Sequence, residues 1–123
     1  MHDGRVLRDV VIVDDNSGFR KEARQLLERI GYRVVGEAGN GSEALAEVRR
    51  LRPDAVLLDI QLPDIDGISV AASLTSAPPA PAIVLISARD PADYGARLGT
   101  CGAVGFIAKT DLSAESLTAL LDS

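Results

Sequence analysis

The sequence predicts an α/β domain in which a parallel sheet is covered by helices on both faces, a doubly wound (βα)5 arrangement. Three observations predict it. Four short runs, residues 10–13, 56–58, 83–86 and 104–107, are too short for helices and too uniformly apolar for half-exposed strands, so they read as buried parallel strands. Helical patterns lie between them, and five alternations of strand and helix with right-handed crossovers put helices on both sides of one sheet. The chain has 123 residues, which fits one domain spanning residues 1–123 with no linker to a second.

Residues 1–5 read as a short polar tail, and the lone His2 within it is given no role. The first strand, Val10-Val11-Ile12-Val13, closes on Asp14 and Asp15. Phe19, Ala23, Leu26, Leu27 and Ile30 then form one apolar stripe of a helix, with Asn16 or Ser17 as its cap and Gly31 as its stop. A mixed run, Tyr32-Arg33-Val34-Val35-Gly36-Glu37, suits a strand at the sheet edge. The second helix is expected from about Ser42, with Ala44, Leu45, Val48 and Leu51 inward, ending before Pro53. The third strand, Ala55-Val56-Leu57-Leu58, closes on Asp59, and a weaker helix follows over residues 68–75.

The proline-rich stretch 76–81 reads as a rigid loop, because a strand pattern resumes at Ala82 and closes on Ser87. Asp90 and Pro91 mark the start of a fourth helix as cap and first position. Its interior holds Gly95 and Gly99, each costing about 1 kcal/mol relative to alanine, so this helix is expected to be the least stable. The last strand, residues 104–107, leads through Ala108 to Lys109. Ser113 caps the final helix, with Leu112 and Leu117 placed as a hydrophobic staple.

Apolar residues make up 46% of the chain and aromatics only 3%, so the core must be aliphatic. Thirteen basic and eighteen acidic residues leave a net charge of −5, which lacks the electrostatic footprint of a nucleic-acid binder. Contact with DNA would need another domain. The single Cys101 cannot close an intramolecular disulfide, and no apolar run approaches the roughly 20 residues of a membrane span or resembles a signal peptide. A cytoplasmic location is the expectation.

In a doubly wound sheet the carboxyl ends of the strands share one edge, and ligands bind there at the switch point between strands 1 and 3. Asp14, Asp15, Asp59, Ser87 and Lys109 all follow directly from apolar strands and so converge on that edge. Carboxylates a few ångströms apart repel and raise one another's pKa. Something positive must sit among them, and a hard divalent cation, Mg²⁺ or Mn²⁺, suits an all-oxygen ligand set. Singly, each residue has a plainer role: an acid can cap a helix, Ser87 can satisfy a backbone group, and Lys109 can be solvated. Their joint placement at four strand ends is what chance does not supply.

With these residues in place the chain resembles the receiver domain of two-component response regulators over nearly its whole length. The motifs are the acidic pair after strand 1, the segment Asp59-Ile60-Gln61-Leu62-Pro63-Asp64-Ile65-Asp66-Gly67, a hydroxyl after strand 4 and a lysine after strand 5. The resemblance implies a flavodoxin-like strand order 2-1-3-4-5. It also implies that Asp59 is the phosphoacceptor, taking a phosphoryl group from a sensor histidine kinase or a small acyl phosphate. Asp15, Asp59 and the backbone carbonyl of Gln61 would ligate Mg²⁺ directly, with Asp14 acting through water. Lys109 would supply positive charge, Ser87 would hydrogen-bond the phosphoryl group, and Phe106 takes the position of the strand-5 aromatic that moves with it. Val34-Val35-Gly36-Glu37-Ala38 and Gly102-Ala103-Val104-Gly105-Phe106 resemble the NarL/LuxR subclass most, whose members usually carry a helix-turn-helix output domain and can form homodimers. This chain holds no such domain, and it is expected to be the excised portion of a longer regulator; a free-standing receiver is the alternative.

One departure stands out. Many receivers place proline after the strand-5 lysine, whereas Thr110 follows Lys109, which puts the aim of Lys109 at issue. A phosphorylation-independent interaction module on the same fold is therefore a rival reading. Another comes from Asp64-Ile65-Asp66-Gly67, which resembles the D-x-D-G start of haloacid-dehalogenase-like phosphatases. In that family the nucleophile directly ends a strand, whereas here the strand has already closed at Asp59. A receiver takes up one phosphoryl group and releases it slowly, so the chain is not expected to be a turnover enzyme.

Overall fold

The computed structural model describes residues 8–122; the expected polar tail and His2 lie outside the described residues. Its elements run β1 (Arg8–Val13), α1 (Ser17–Arg29), β2 (Tyr32–Ala38), α2 (Gly41–Leu51), β3 (Ala55–Asp59), α3 (Gly67–Leu74), β4 (Ala82–Ser87), α4 (Arg97–Thr100), β5 (Gly105–Ala108) and α5 (Ala114–Leu121). The five strands form one parallel sheet in the order β2-β1-β3-β4-β5. That is the expected order, with the mixed strand β2 at one edge.

Side-chain alternation along each strand sorts the core onto two faces. Val11, Val13, Val56, Leu58, Ile83 and Leu85 pack with residues of α2 and α3, while Val10, Ile12, Leu57, Val84 and Ile86 pack with α1 and α5. All of these strand residues are essentially inaccessible to water, which is why the runs carry no polar alternation. The register sets Val13 beside Leu58, Asp59 beside Ile86 and Ser87 beside Ala108, so the polar strand ends fall on one rim.

Helix starts follow local chemistry. Asn16 Oδ1 accepts from Phe19 N at 2.9 Å and caps α1, and Gly31, at φ +94°, lies just beyond its C-terminus. The second helix begins one residue before the expected Ser42, because Asn40 is its cap and accepts from Glu43 N at 2.8 Å. At α5, Ser113 caps as expected, and Ser116 returns the bond through its own hydroxyl to form a capping box.

Two expectations are corrected on the β4–β5 side. Asp90 and Pro91 start only a single 3₁₀ turn, Pro91–Asp93, and α4 resumes as four residues beyond Gly95. Gly95 adopts φ +59°, a left-handed conformation that interrupts the helix. Val104, read as a buried strand residue, precedes β5 and is 48% exposed, although its amide still donates to Ile83 O at 2.8 Å. The apolar run was real, but its first member lies outside the sheet.

Candidate functional site

At the strand rim, Asp14 follows β1 and its amide extends the ladder by donating to Ala38 O at 3.0 Å. Its side chain is wholly buried; Oδ1 accepts from Asn16 N at 2.9 Å, and Oδ2 lies 2.7 Å from Lys109 Nζ. That ammonium is the charged partner of this buried oxygen. Asp59 closes β3, 3% exposed, with Oδ1 accepting from Gln61 N at 3.0 Å and Oδ2 from Lys109 Nζ at 3.2 Å. Asp15 faces solvent, yet it, Asp14 and Asp59 each offer an oxygen within 4.8 Å of the others.

Lys109 begins a 3₁₀ turn, Lys109–Asp111, and reaches both buried acids with threonine following it. Thr110 does not misdirect the ammonium. The ring of Phe19 lies 4.5 Å from Nζ, a cation–π contact that supports the charge from the α1 side. Burial alone would lower the Lys109 pKa, but Asp14 and Asp59 outweigh it and raise it. Burial first, and the charge of Asp14 after it, push Asp59 up to about 6 against the pull of the Gln61 amide and Lys109. A single ammonium is thus shared between two crowded carboxylates. Three hard carboxylate oxygens within 4.8 Å of one another fit a divalent cation of the Mg²⁺ kind.

The loop after β3 is pinned from two sides. Gly67 N donates to Ile60 O at 2.8 Å, and a Cβ on Gly67 would run into the carbonyl oxygen of Asp59, so only glycine permits this approach. Asp64 accepts from Gly41 N at 2.7 Å, Ser42 N at 2.9 Å and Ile65 N at 2.8 Å, and the two amides at the start of α2 lead in holding its carboxyl well below the usual range. Asp66 caps α3 through Ser69 N at 2.9 Å and pairs with Arg97 of α4 at 3.0 Å. Both acids of the D-x-D-G segment therefore serve helix ends, away from the strand terminus.

Ser87 is wholly buried and does not join the carboxylate cluster directly. Among the described residues its Oγ accepts from Arg89 N at 3.0 Å and shares a hydrogen with Tyr94 OH at 2.6 Å. Phe106 is half-buried on β5 and meets the Tyr94 ring at 6.4 Å between centroids, tilted by 52°. Sequence reasoning placed Phe19 in a core stripe and gave Tyr94 no part. Phe19 could have been flagged by its position four residues after Asp15; Tyr94 sits in a segment whose helical pattern is broken.

Comparison with known proteins bears on the fold that carries this site. The response regulator receiver domain family matches residues 10–122. A Pseudomonas aeruginosa protein named as a transcriptional regulator is 41% identical over 110 residues, covering 89% of this chain and 53% of that protein. The transcriptional regulatory protein PdtaR of Mycobacterium tuberculosis is 36% identical over 107 residues, covering 87% of this chain and 52% of its own length. The chain thus spans about half the length of these relatives. Among solved structures, the signal receiver domain of the response regulator NarL from Mycobacterium tuberculosis superposes with a TM-score of 0.87 at 34% identity, covering 96% of both chains. The fold and strand order agree with a match of that extent, and the chain belongs to the response regulator receiver domain family.

Proposed function

We propose that the chain is a phosphoacceptor switch in which Asp59 takes a phosphoryl group from a phosphohistidine of a sensor histidine kinase or from a small acyl phosphate. The observation that supports this most is one ammonium shared by two buried carboxylates, Lys109 Nζ lying 2.7 Å from Asp14 and 3.2 Å from Asp59. With a pKa of about 6, Asp59 is ionised at neutral pH and can act as a nucleophile. Its oxygen forms a bond to phosphorus while the bond from phosphorus to the histidine nitrogen breaks, the electron pair passing to the imidazole, which then takes a proton.

The Gln61 amide fixes the Asp59 rotamer, and Lys109 offsets charge on the phosphoryl oxygens as a compact, mobile ammonium. Asp15, Asp59 and the Gln61 carbonyl would hold Mg²⁺ or Mn²⁺ directly, with Asp14 behind them through water. When bound, the metal supplies further positive charge to a loose transition state whose charge spreads over three equatorial oxygens. Ser87 would donate to the attached group, with Phe106 moving behind it. Phosphorylation replaces one carboxylate charge by about −1.5 to −2 and adds strong acceptors, enough to redraw the hydrogen bonds of the β4–β5 side.

The chain acts once per phosphoryl group and is not a turnover enzyme. The relatives named as transcriptional regulators are about twice as long as this chain, and the resemblance to the NarL/LuxR subclass assigns the output to a separate helix-turn-helix domain that contacts DNA. Homodimerisation is part of the same reading, in the cytoplasm. Among the described residues no helix is long and apolar enough to cross a membrane. Intact mass after acetyl phosphate and Mg²⁺ should show one added phosphoryl group, lost in Asp59→Asn. A wild-type chain that stays unmodified would overturn the reading.

A further inference from the structure

The strand-5 aromatic is Phe106, which has no hydroxyl, yet Ser87 does have an aromatic hydroxyl partner, Tyr94 OH at 2.6 Å. It comes from the segment between β4 and α4 and not from β5. A serine hydroxyl has one proton and two lone pairs, and the Arg89 amide already occupies one lone pair at 3.0 Å. The bond to Tyr94 is at the short end for two hydroxyls, and Ser87 is fully buried, so water does not compete for it. Asp59 pairs with Ile86, which places Ser87 one residue beyond it on the neighbouring strand, and its hydrogen bonds point elsewhere.

We propose that Tyr94 is a positioning residue that holds Ser87 in its unphosphorylated rotamer, and that phosphoryl oxygens on Asp59 displace the Tyr94 hydroxyl as the partner of Ser87. This rests on Asp59 being the phosphoacceptor. A charged phosphoryl oxygen is a stronger acceptor than a phenol, so the exchange runs forward once the group is attached. Tyr94 is half-buried, and its freed hydroxyl can turn to water without becoming an orphan. The ring rests on Phe106 and precedes the left-handed Gly95, so its release acts on the short α4. Phe106 then serves as the bearing surface for a tyrosine supplied by another element.

The test is the affinity of the chain for beryllofluoride with Mg²⁺, measured by calorimetry for wild type, Tyr94→Phe, Ser87→Ala and the double variant. Tyr94→Phe should bind about five-fold more tightly, the weight of one neutral hydrogen bond removed from the resting state. In the Ser87→Ala background the same substitution should be silent. Unchanged or weaker binding by Tyr94→Phe, or an equal gain without Ser87, overturns the role of Tyr94 alone. A wild-type chain that neither binds beryllofluoride nor accepts a phosphoryl group from acetyl phosphate overturns the phosphoacceptor reading and this proposal with it.

Discussion

The helices that flank β2 and the segment between β4 and β5 are built in opposite ways. The first pair, α1 and α2, are 13 and 11 residues long, carry asparagine caps, and bury Ala23, Leu27, Ala44 and Val48. Between β4 and β5 there is a 3₁₀ turn, a left-handed glycine and a four-residue α4 with no side-chain cap and no buried residue. The carboxylates sit on the strand ends beside the firm region, and Ser87 faces the weak one through Tyr94. Few buried contacts and a frayed helix are what a low-free-energy local opening looks like. In the proposed reading the reacting atoms sit on a rigid frame, and the change of shape occurs where it costs least.

The contrast can be broken most sharply by truncating equivalent leucines. Leu27→Ala, at a site with no exposure, should cost about 3–4 kcal/mol, and truncation of the half-buried Leu98 on α4, Leu98→Ala, about 1 kcal/mol, as read from urea unfolding. Equal losses would mean that α4 is as much a part of the frame as α1. Gly67→Ala comes next, at about 3 kcal/mol, because its Cβ meets backbone at Asp59 and Ile60 and neither can yield. It should also slow phosphoryl uptake, visible by intact mass over time.

A pH experiment sharpens the comparison within the site. Because the folded Asp59 pKa is raised to about 6, its protonated form is favoured in the native state. Metal-free stability from this group is therefore fully present below the unfolded value of about 4 and is lost as pH rises through about 6. Asp59→Asn should raise the urea midpoint at pH 7.5, and the gap to wild type should close towards pH 4. Mg²⁺ affinity should fall in the opposite sense as pH drops below 6, since the ligand must be ionised. The smallest effects lie in the weak region: Gly95→Ala should cost about 1 kcal/mol for its positive φ, while Gly99→Ala, helical and facing open space, should gain about 0.5 kcal/mol. Amide exchange across residues 90–105 separates the two.

Much of this was legible because the physics was local. Asp14, Asp59, Ser87 and Lys109 stand near the ends of apolar runs, so sheet topology alone carries them to one rim, and the acidic motifs after β1 and β3 need no tertiary knowledge to find. Asn16, Gly31 and Ser113 marked helix ends through their own backbone and side-chain preferences. What was not legible depended on contacts between elements. Tyr94 reaches Ser87 only because the helix pattern fails at Gly95, and Val104 left the sheet although its neighbours Phe106 and Ile107 stayed in it. Asp64 and Asp66 look like turn residues in one dimension, yet Asp64 is recruited to the start of α2 and Asp66 to that of α3 and an ion pair with Arg97.

Lys109 rises at the end of β5, reaches past β4, and touches acids at the ends of β3 and β1. Drawing that ammonium away from Asp14 would strand a carboxylate with no access to water, a penalty borne by the folded state as a whole. Whatever settles among the acids is therefore recorded in the melting temperature, and a label-free thermal scan can report who occupies the rim.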